Sequence, residues 1–305
     1  MWRFRGDPKE AGLTYSIVAR DRDTGELGVA VQSMYFHVGP VVPWAEAGVG
    51  AVATQSVVNI AFGPLGLELM RGGLSAEQAL AAVLAGDAEP EGRQCAMVDA
   101  AGRVAAYTGP RATAAAGHRT GDGYSCQANL MERDTVWDAM AAAYENAAGR
   151  PLAERLIEAL RAAEGEGGDI RGRQSAALLL VSGRPTGRLW EDRLMDLRVE
   201  DHEDPVEELA RLVRLRTAYL ALRVFPDDPD FRERTLAALR LAPEQAQVRI
   251  SAGMMHARAG EWEEALPLLR SAVDEEPRWS EALRRLAAAG RIPLELVSEM
   301  ESKLG

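Results

Sequence analysis

Two mostly apolar segments lie near the start of the chain, separated by a polar turn. Residues 15–20 and 27–33 are mostly apolar rather than cleanly alternating, as expected for strands of a sheet that is covered on both faces. The turn between them, residues 21–25, ends at Gly25, which can adopt a positive φ. The pattern predicts a β-hairpin.

Further segments of the first 200 residues carry the periodicity of strands or of short amphipathic helices. Strands are predicted at residues 48–56, 94–99, 103–108, 124–130, 174–181 and within 189–199, and helices at residues 65–71, 75–84, 135–147 and 152–164. The order is strands, two helices, strands, two helices, strands. Two helical layers outside two mixed sheets fit this order, whereas a βαβ alternation does not. We therefore expect an α+β fold, a four-layer αββα domain over residues 14–203, preceded by a leader or extension of residues 1–13.

The composition changes after a short polar linker, residues 201–205, and residues 204–305 have a helical pattern. Ala238 and Pro243 recur 34 residues later as Ala272 and Pro277. Between these positions lie small and apolar residues, namely Gly253, Gly260, Trp262, Ala265 and Leu269. This spacing resembles the tetratricopeptide repeat (TPR), in which small residues allow close helix crossings. The alternative is a helical bundle that caps the first domain.

Charge and motif content narrow the classes of function. The 35 basic and 46 acidic residues give a formal net charge of −11, which disfavours nucleic acid and anionic membranes as partners. Two cysteines cannot build a disulfide framework, and no secretory leader or membrane span is recognisable. Metal, dinucleotide and P-loop motifs are lacking too, so we expect a cytoplasmic protein without a metal or cofactor.

Several motifs together resemble one protein family. They are residues 14–21 (TYSIVARD), 28–33 (GVAVQS), 48–56 (GVGAVATQS), 117–121 (GHRTG) and 168–176 (GDIRGRQSA). The segment from about Thr14 to about Pro205 is similar to the DUF1028 family. The resemblance implies an N-terminal-nucleophile (Ntn) hydrolase-like fold and no established substrate. It leaves the C-terminal helices unexplained.

The resemblance also implies a type of mechanism, with Thr14 as the nucleophile. In Ntn hydrolases the first residue of the mature chain attacks a carbonyl, and its own α-amine, with a pKa near ~7.7–8.0, acts as the base. Thr14 could do this only if residues 1–13 are removed or if translation starts beside it. The alternatives are a chain that is never processed, and a threonine that merely begins a strand.

Other polar residues are expected near Thr14 or at the rim of its site. Pairing within the hairpin returns Ser33 to Thr14, where its hydroxyl could contact the α-amine; otherwise Ser33 satisfies its own backbone. Gln55 and Ser56 end the next predicted strand, and Asn59 follows it. One of these amides could stabilise an oxyanion; each could equally be a structural hydrogen bonder. Asn129 ends another predicted strand and is a candidate for substrate binding.

Two loops supply the remaining candidates for substrate binding. His118 could bind substrate or relay a proton, or be a structural histidine. Asp169, Arg171 and Arg173 precede an apolar strand; the arginines could clamp a substrate carboxylate, or the three could form ion pairs that pin a glycine-rich loop. Cys126 has no base at motif spacing and is interpreted as a buried strand residue.

Three hypotheses of function follow. The first is an amidohydrolase that cleaves a C–N bond of a small molecule or peptide through Thr14. The second is a non-catalytic binding module, in which the TPR-like part holds a protein partner. The third is an assembly role for the tail, for instance in a homodimer.

Overall fold

The structure, a computed structural model, describes residues 13–305. The predicted extension, residues 1–13, therefore lies outside the described residues except for Leu13. The chain divides into two compact units after Val213, ten residues beyond the predicted boundary. The first unit mixes strands and helices, and the second is helical.

Ten strands and eleven helices form the described chain. The strands are β1 (Thr14–Arg20), β2 (Leu27–Ser33), β3 (Pro43–Glu46), β4 (Gly50–Ser56), β5 (Arg93–Asp99), β6 (Val104–Thr108), β7 (Gly117–Gly121), β8 (Tyr124–Ala128), β9 (Ser175–Val181) and β10 (Arg193–Val199). The helices are α1 (Phe62–Arg71), α2 (Ala76–Ala85), α3 (Val136–Asn146), α4 (Leu152–Gly165), α5 (Leu189–Asp192), α6 (Pro205–Ala221), α7 (Phe231–Leu241), α8 (Ala246–Arg258), α9 (Trp262–Glu275), α10 (Arg278–Ala288) and α11 (Leu294–Leu304).

The strands form two antiparallel sheets. One sheet has the order β10-β9-β2-β1-β8-β7, and the other has the order β3-β4-β5-β6. The expectation of mixed sheets is wrong, because every pairing of neighbouring strands described here is antiparallel. Short hairpin connections such as 21–26 and 100–103 impose that direction.

The core lies between the two sheets and behind the smaller one. Ala51 and Ala53 of β4 face the larger sheet, in a cluster that includes Val29 and Val31 of β2. Val52, between the two alanines, packs instead with residues of α1 and α2. The alternation follows from the period of two of a strand. It explains why β4 is buried throughout.

Helices cover the outer surfaces of both sheets. Helices α1 and α2 pack on β4 and β5, whereas α3 and α4 pack on β1, β2 and β8. Helix α2 begins at the predicted N-cap, since the Ser75 hydroxyl accepts from Gln78 N and the Gln78 side chain accepts from Ser75 N. The predicted order of strands and helix pairs is therefore confirmed.

Three elements were not predicted. Strand β3 is only four residues long and begins with a proline, and β7 is a glycine-flanked edge strand with exposed polar side chains. Neither carries an apolar run, so periodicity could not reveal them. Residues 189–192, expected within a strand, form the short helix α5 before β10.

The second unit consists of helices packed in sequence order. Helices α8 and α9 pack closely at Gly253, where a Cβ atom would lie 2.8 Å from Leu269 Cγ. Ala265, Leu269 and Ala272 are buried in the same cluster. Within residues 13–305 no helix combines the length and the apolar character that a membrane span requires.

Candidate functional site

Thr14 opens β1 and lies opposite the last residue of β2. The hairpin register pairs Thr14 with Ser33, as predicted. The Thr14 hydroxyl donates to Ser33 Oγ at 3.1 Å, and Ser33 Oγ donates to the carbonyl oxygen of Leu13 at 2.7 Å. A relay of two hydroxyls therefore joins Thr14 to the peptide bond in front of it, and both side chains are fully buried.

Three donors hold the carbonyl oxygen of Thr14. They are Gln55 Nε2 at 3.1 Å, Asn129 N at 3.1 Å and Asn129 Nδ2 at 3.3 Å. Gln55 comes from the smaller sheet and Asn129 follows β8 of the larger one. Both amides thus lie beside Thr14, where they contact its backbone carbonyl rather than its hydroxyl.

Gln94 joins these two amides. Its Oε1 accepts from Gln55 Nε2 at 2.8 Å and from Asn129 Nδ2 at 2.9 Å. Its Nε2 donates to the Ala128 carbonyl at 2.9 Å, the Gly117 carbonyl at 3.1 Å and Thr108 Oγ1 at 2.9 Å. Because the Gln94 amide is fully buried and engaged at both ends, it fixes the orientation of the side chains that hold Thr14.

A second part of the buried polar cluster lies two residues further along β1, at Ser16. Ser16 Oγ donates to Gln55 Oε1 and accepts from Gln127 Nε2, both at 2.6 Å. Ser125 Oγ donates to Gln127 Oε1 at 2.9 Å. Gln127 is as fully buried as Gln94, and its side chain bonds to Ser16 and Ser125.

The glycine-rich loop 168–173 crosses the start of β1. On one side, the Asp169 carboxylate accepts from Met34 N at 3.2 Å. On the other, Ile170 N donates to the Leu130 carbonyl at 3.2 Å. Since Met34 follows β2 and Leu130 follows β8, and β1 lies between these strands, the loop passes over Thr14.

Arg171 belongs to this loop and reaches the peptide bond before Thr14. Its Nη2 donates to the Leu13 carbonyl at 2.8 Å and to Asp169 Oδ2 at 2.7 Å, while its Nε donates to Asp169 Oδ1 at 3.1 Å. The guanidinium fork is therefore engaged by Asp169, whose side chain is fully buried. The Leu13 carbonyl has two donors, Ser33 and Arg171.

Arg173 lies on the other face of β1. It pairs with Glu164 and, at 3.7 Å, with Asp204. Glu164 also accepts from the Tyr15 hydroxyl. Burial, and then the neighbouring Glu164 charge, raises the pKa of Tyr15, and burial raises the pKa of Glu164. Arg173 is thus part of a structural ion pair rather than a free cation beside Thr14.

Asn59 bonds to Asp87 and Ala61, whereas His118 bonds to Thr108, which also accepts from Gln94. Asn59 Nδ2 donates to Asp87 Oδ2 at 2.8 Å and its Oδ1 accepts from Ala61 N at 3.2 Å. The expected catalytic role of Asn59 therefore has no geometric support, because both ends of its amide are engaged in a loop. His118 Nδ1 contacts Thr108 Oγ1 at 2.8 Å, and burial lowers the pKa of its ring.

Ser56 is held in an unusual conformation at the end of β4. Its φ is 69°, a left-handed value that costs a residue with a side chain about 1–2 kcal/mol. Its hydroxyl is buried and, among the residues described, has no hydrogen-bond partner. Such strain commonly persists at functional sites, and Ser56 directly follows Gln55.

The two cysteines do not offer a competing nucleophile. Burial raises the pKa of Cys126, and of Cys95 as well, so neither thiol supplies a thiolate near neutral pH. Across residues 13–305, no three side chains of His, Cys, Asp or Glu cluster as metal ligands would.

Sequence reasoning missed Gln94, Gln127 and the pair Tyr15–Glu164. A signal was present for Gln94: it opens a predicted strand, and in the observed register it lies opposite Gln55. Two glutamines at the ends of otherwise apolar strands indicate a buried amide pair. The Tyr15–Glu164 contact spans 149 positions, and no local pattern could reveal it.

Comparison with known proteins gives a family and similar solved structures. The sequence profile described as "Family of unknown function (DUF1028)" matches residues 14–209. The chain is similar to the crystal structure of protein SPO2555 from Silicibacter pomeroyi, described with the same family. The two share 30% identity with a TM-score of 0.59, over 66% of this chain and 88% of that one. No curated protein matches the chain.

Proposed function

The chain belongs to the DUF1028 family, a family of unknown function, and from this premise we propose that it is an Ntn-type amidohydrolase with Thr14 as its nucleophile. The observation that carries the proposal is the position of Thr14 at the head of β1, hydrogen-bonded to Ser33. In the same proposal, the stacked sheets with outer helices form an αββα fold of the Ntn kind, and the C-terminal helices form a TPR-like module.

The proposed reaction begins once residues 1–13 have been removed. The Thr14 α-amine takes the proton of the Thr14 hydroxyl, and Oγ1 forms a bond to the substrate carbonyl carbon. The C–N bond then breaks, and the leaving nitrogen receives that proton. Water, deprotonated by the same amine, hydrolyses the acyl ester. The products are a carboxylic acid, an amine and free Thr14.

The contacts of Leu13 support an assignment of the oxyanion donors. Its carbonyl oxygen accepts from Ser33 Oγ and Arg171 Nη2. After removal of the leader, a substrate carbonyl in the same position would meet the same two donors. A donor directed at a developing oxyanion is worth about 10²–10³ in rate. Gln55 and Asn129 would then hold the nucleophile by its backbone.

The burial of Thr14 favours a second candidate, a non-catalytic scaffold. With Leu13 attached, Thr14 is fully buried and its nitrogen is an amide rather than an amine. In that form the residue has no base and no access to substrate. The scaffold hypothesis therefore requires that the Leu13–Thr14 bond stay intact in the functional protein.

Intact-mass measurement of the purified protein distinguishes the two candidates. The hydrolase predicts a functional chain that begins at Thr14, and amide hydrolysis that disappears in Thr14→Ala. Thr14→Ser is the matched control, since it keeps a hydroxyl and should keep measurable activity. A full-length chain whose amide hydrolysis is unaffected by Thr14→Ala would reject the proposal.

A further inference from the structure

Two large apolar side chains are exposed beside the start of β1, in addition to the paired arginines Arg171 and Arg173. Met34 and Ile170 come from the two loops that Asp169 joins over Thr14. They are 37% and 56% exposed. Large apolar side chains at such exposure, in loops that flank a candidate site, are the kind of surface that receives a ligand.

The cations at the same place are already paired. The Arg171 fork is engaged by Asp169, whose side chain is fully buried, and Arg173 pairs with Glu164. The carboxylates of Asp169 and Glu164 neutralise the charge that a substrate carboxylate would meet, which weakens its attraction to either arginine. The residues beside Thr14 therefore disfavour a charged acyl group.

The chain itself places an apolar residue at this position. Leu13 is the residue whose carbonyl oxygen meets both Ser33 and Arg171. In the proposed reaction, the acyl part of a substrate takes the place of Leu13. The residue held there in the intact chain thus indicates an acyl group of similar size and polarity.

We propose that the site accepts amides and esters whose acyl group is uncharged, apolar and about the size of a leucyl side chain, with Met34 and Ile170 as specificity-determining residues. This inference rests on the proposed hydrolase function. It departs from the expectation, made from sequence, that the arginines clamp a substrate carboxylate.

Two p-nitrophenyl esters of similar length test the selectivity. Isocaproyl p-nitrophenyl ester carries a branched apolar acyl group, and glutaryl p-nitrophenyl ester carries a carboxylate. In each case Thr14 Oγ1 forms the bond to the acyl carbon, p-nitrophenolate leaves with the electron pair, and water releases the acid. The measurement is kcat/KM for each ester with the processed protein, after subtraction of the rate of Thr14→Ala.

We expect the isocaproyl ester to be preferred by roughly tenfold or more, since one or two methylene contacts are worth that much. Ile170→Asn and Met34→Gln should each lower the preference, through a higher KM for the isocaproyl ester. Leu189→Asn is the matched control: Leu189 is 72% exposed and begins the short helix α5 between β9 and β10, at the other end of β2. It should leave the preference unchanged.

The outcomes separate this inference from the function on which it rests. Thr14-dependent hydrolysis with equal or greater activity on the glutaryl ester overturns the apolar specificity but leaves the hydrolase standing. Preference for the isocaproyl ester that survives both loop variants removes Met34 and Ile170 as its cause. Absence of Thr14-dependent hydrolysis of either ester overturns both proposals.

Discussion

The loops at the two ends of the paired sheets differ in which residues adopt a left-handed backbone conformation. The end opposite Thr14, called here the turn end, holds the loops 21–26, 100–103 and 122–123, whose left-handed positions are the glycines Gly25, Gly102 and Gly123. At the Thr14 end, left-handed residues with side chains occur: His37, Ser56, Ala115 and Leu130. Glycine adopts this conformation without steric cost, whereas the other residues are strained.

The strained residues adjoin the contacts that hold Thr14. Ser56 follows Gln55, and Leu130 follows Asn129, the two amides bonded to the Thr14 carbonyl. Ala115 accepts from Met131 N at 3.3 Å, in the loop beside them. The loop 168–173 at the Thr14 end also uses left-handed glycines, Gly168 and Gly172, but the strained residues with side chains all lie at this end. Such strain is expected where side chains must be held in a fixed geometry for function.

The largest effect expected within this comparison comes from the two buried glutamines. Gln94→Met and Gln127→Met replace fully buried amides by an apolar side chain of similar length, and each leaves buried partners unsatisfied. The Gln94 side chain bonds directly to both amides that hold Thr14, whereas the Gln127 side chain reaches Gln55 through Ser16. We expect Gln94→Met to lower kcat of Thr14-dependent ester hydrolysis by about 100-fold with little change in KM.

Gln127→Met is the control for stability in this experiment. Thermal unfolding should show similar losses in the two variants, while kcat should fall mainly in Gln94→Met. Equal losses of kcat in both would mean that the amide cluster acts only on stability, and that Gln94 has no special role in positioning Thr14.

The dependence of stability on acidic pH compares the two ends through Asp87 and Asp21. At the Thr14 end, burial alone would raise the pKa of Asp87, but hydrogen bonds from Arg93 and Asn59 lower it to about 2. At the turn end, burial likewise opposes hydrogen bonds from Thr24, and the pKa of Asp21 is lowered. A lowered folded pKa stabilises the fold above the unfolded value near ~3.9, and that stability is lost as pH falls toward the folded value.

Asp87→Asn should therefore destabilise the protein by about 2 kcal/mol at neutral pH and flatten the loss of stability between about pH 4 and pH 2. Asp21→Asn should have a smaller effect in the same direction. Urea unfolding of both variants and the parent at pH 7 and pH 3 checks this. A parent stability that does not change over this range would contradict the assigned role of Asp87.

The sequence predicted the elements whose pattern is local. Hairpin β1–β2, strand β9 and the N-cap Ser75 were located because an apolar run, or a cap three residues before its partner, is visible within about ten positions. Strand β7 was missed since its exposed polar residues pair only at an edge. The antiparallel direction of both sheets depends on loop connections that periodicity does not encode.

In the candidate site, too, only the contacts that follow from a local sequence pattern could be predicted. The pairing of Ser33 with Thr14 followed from the hairpin alone. The contacts of Gln55 and Asn129 could be expected only as a group of strand-end amides, and their common acceptor, Gln94, became visible once the register of β4 and β5 was known. Arg171 was named for its charge, but its partner Asp169 and its contact with Leu13 depend on a loop whose course is set by glycines.

The smallest expected effect is also the most direct test of the strain argument. Ser56→Gly removes a side chain from a left-handed position with φ of 69° and should stabilise the protein by about 1 kcal/mol. Gly25→Ala introduces a side chain at φ of 74° at the turn end and should destabilise it by a similar amount. Only the first change should lower ester hydrolysis.

Ser56→Ala separates the two properties that Ser56→Gly removes together. It keeps the strained backbone and deletes the hydroxyl, which has no partner in the part of the chain described here. If the hydroxyl meets substrate, Ser56→Ala and Ser56→Gly should lose similar activity, and only the glycine variant should gain stability. A Ser56→Gly protein that is more stable and equally active would show that strain at the Thr14 end is not retained for catalysis.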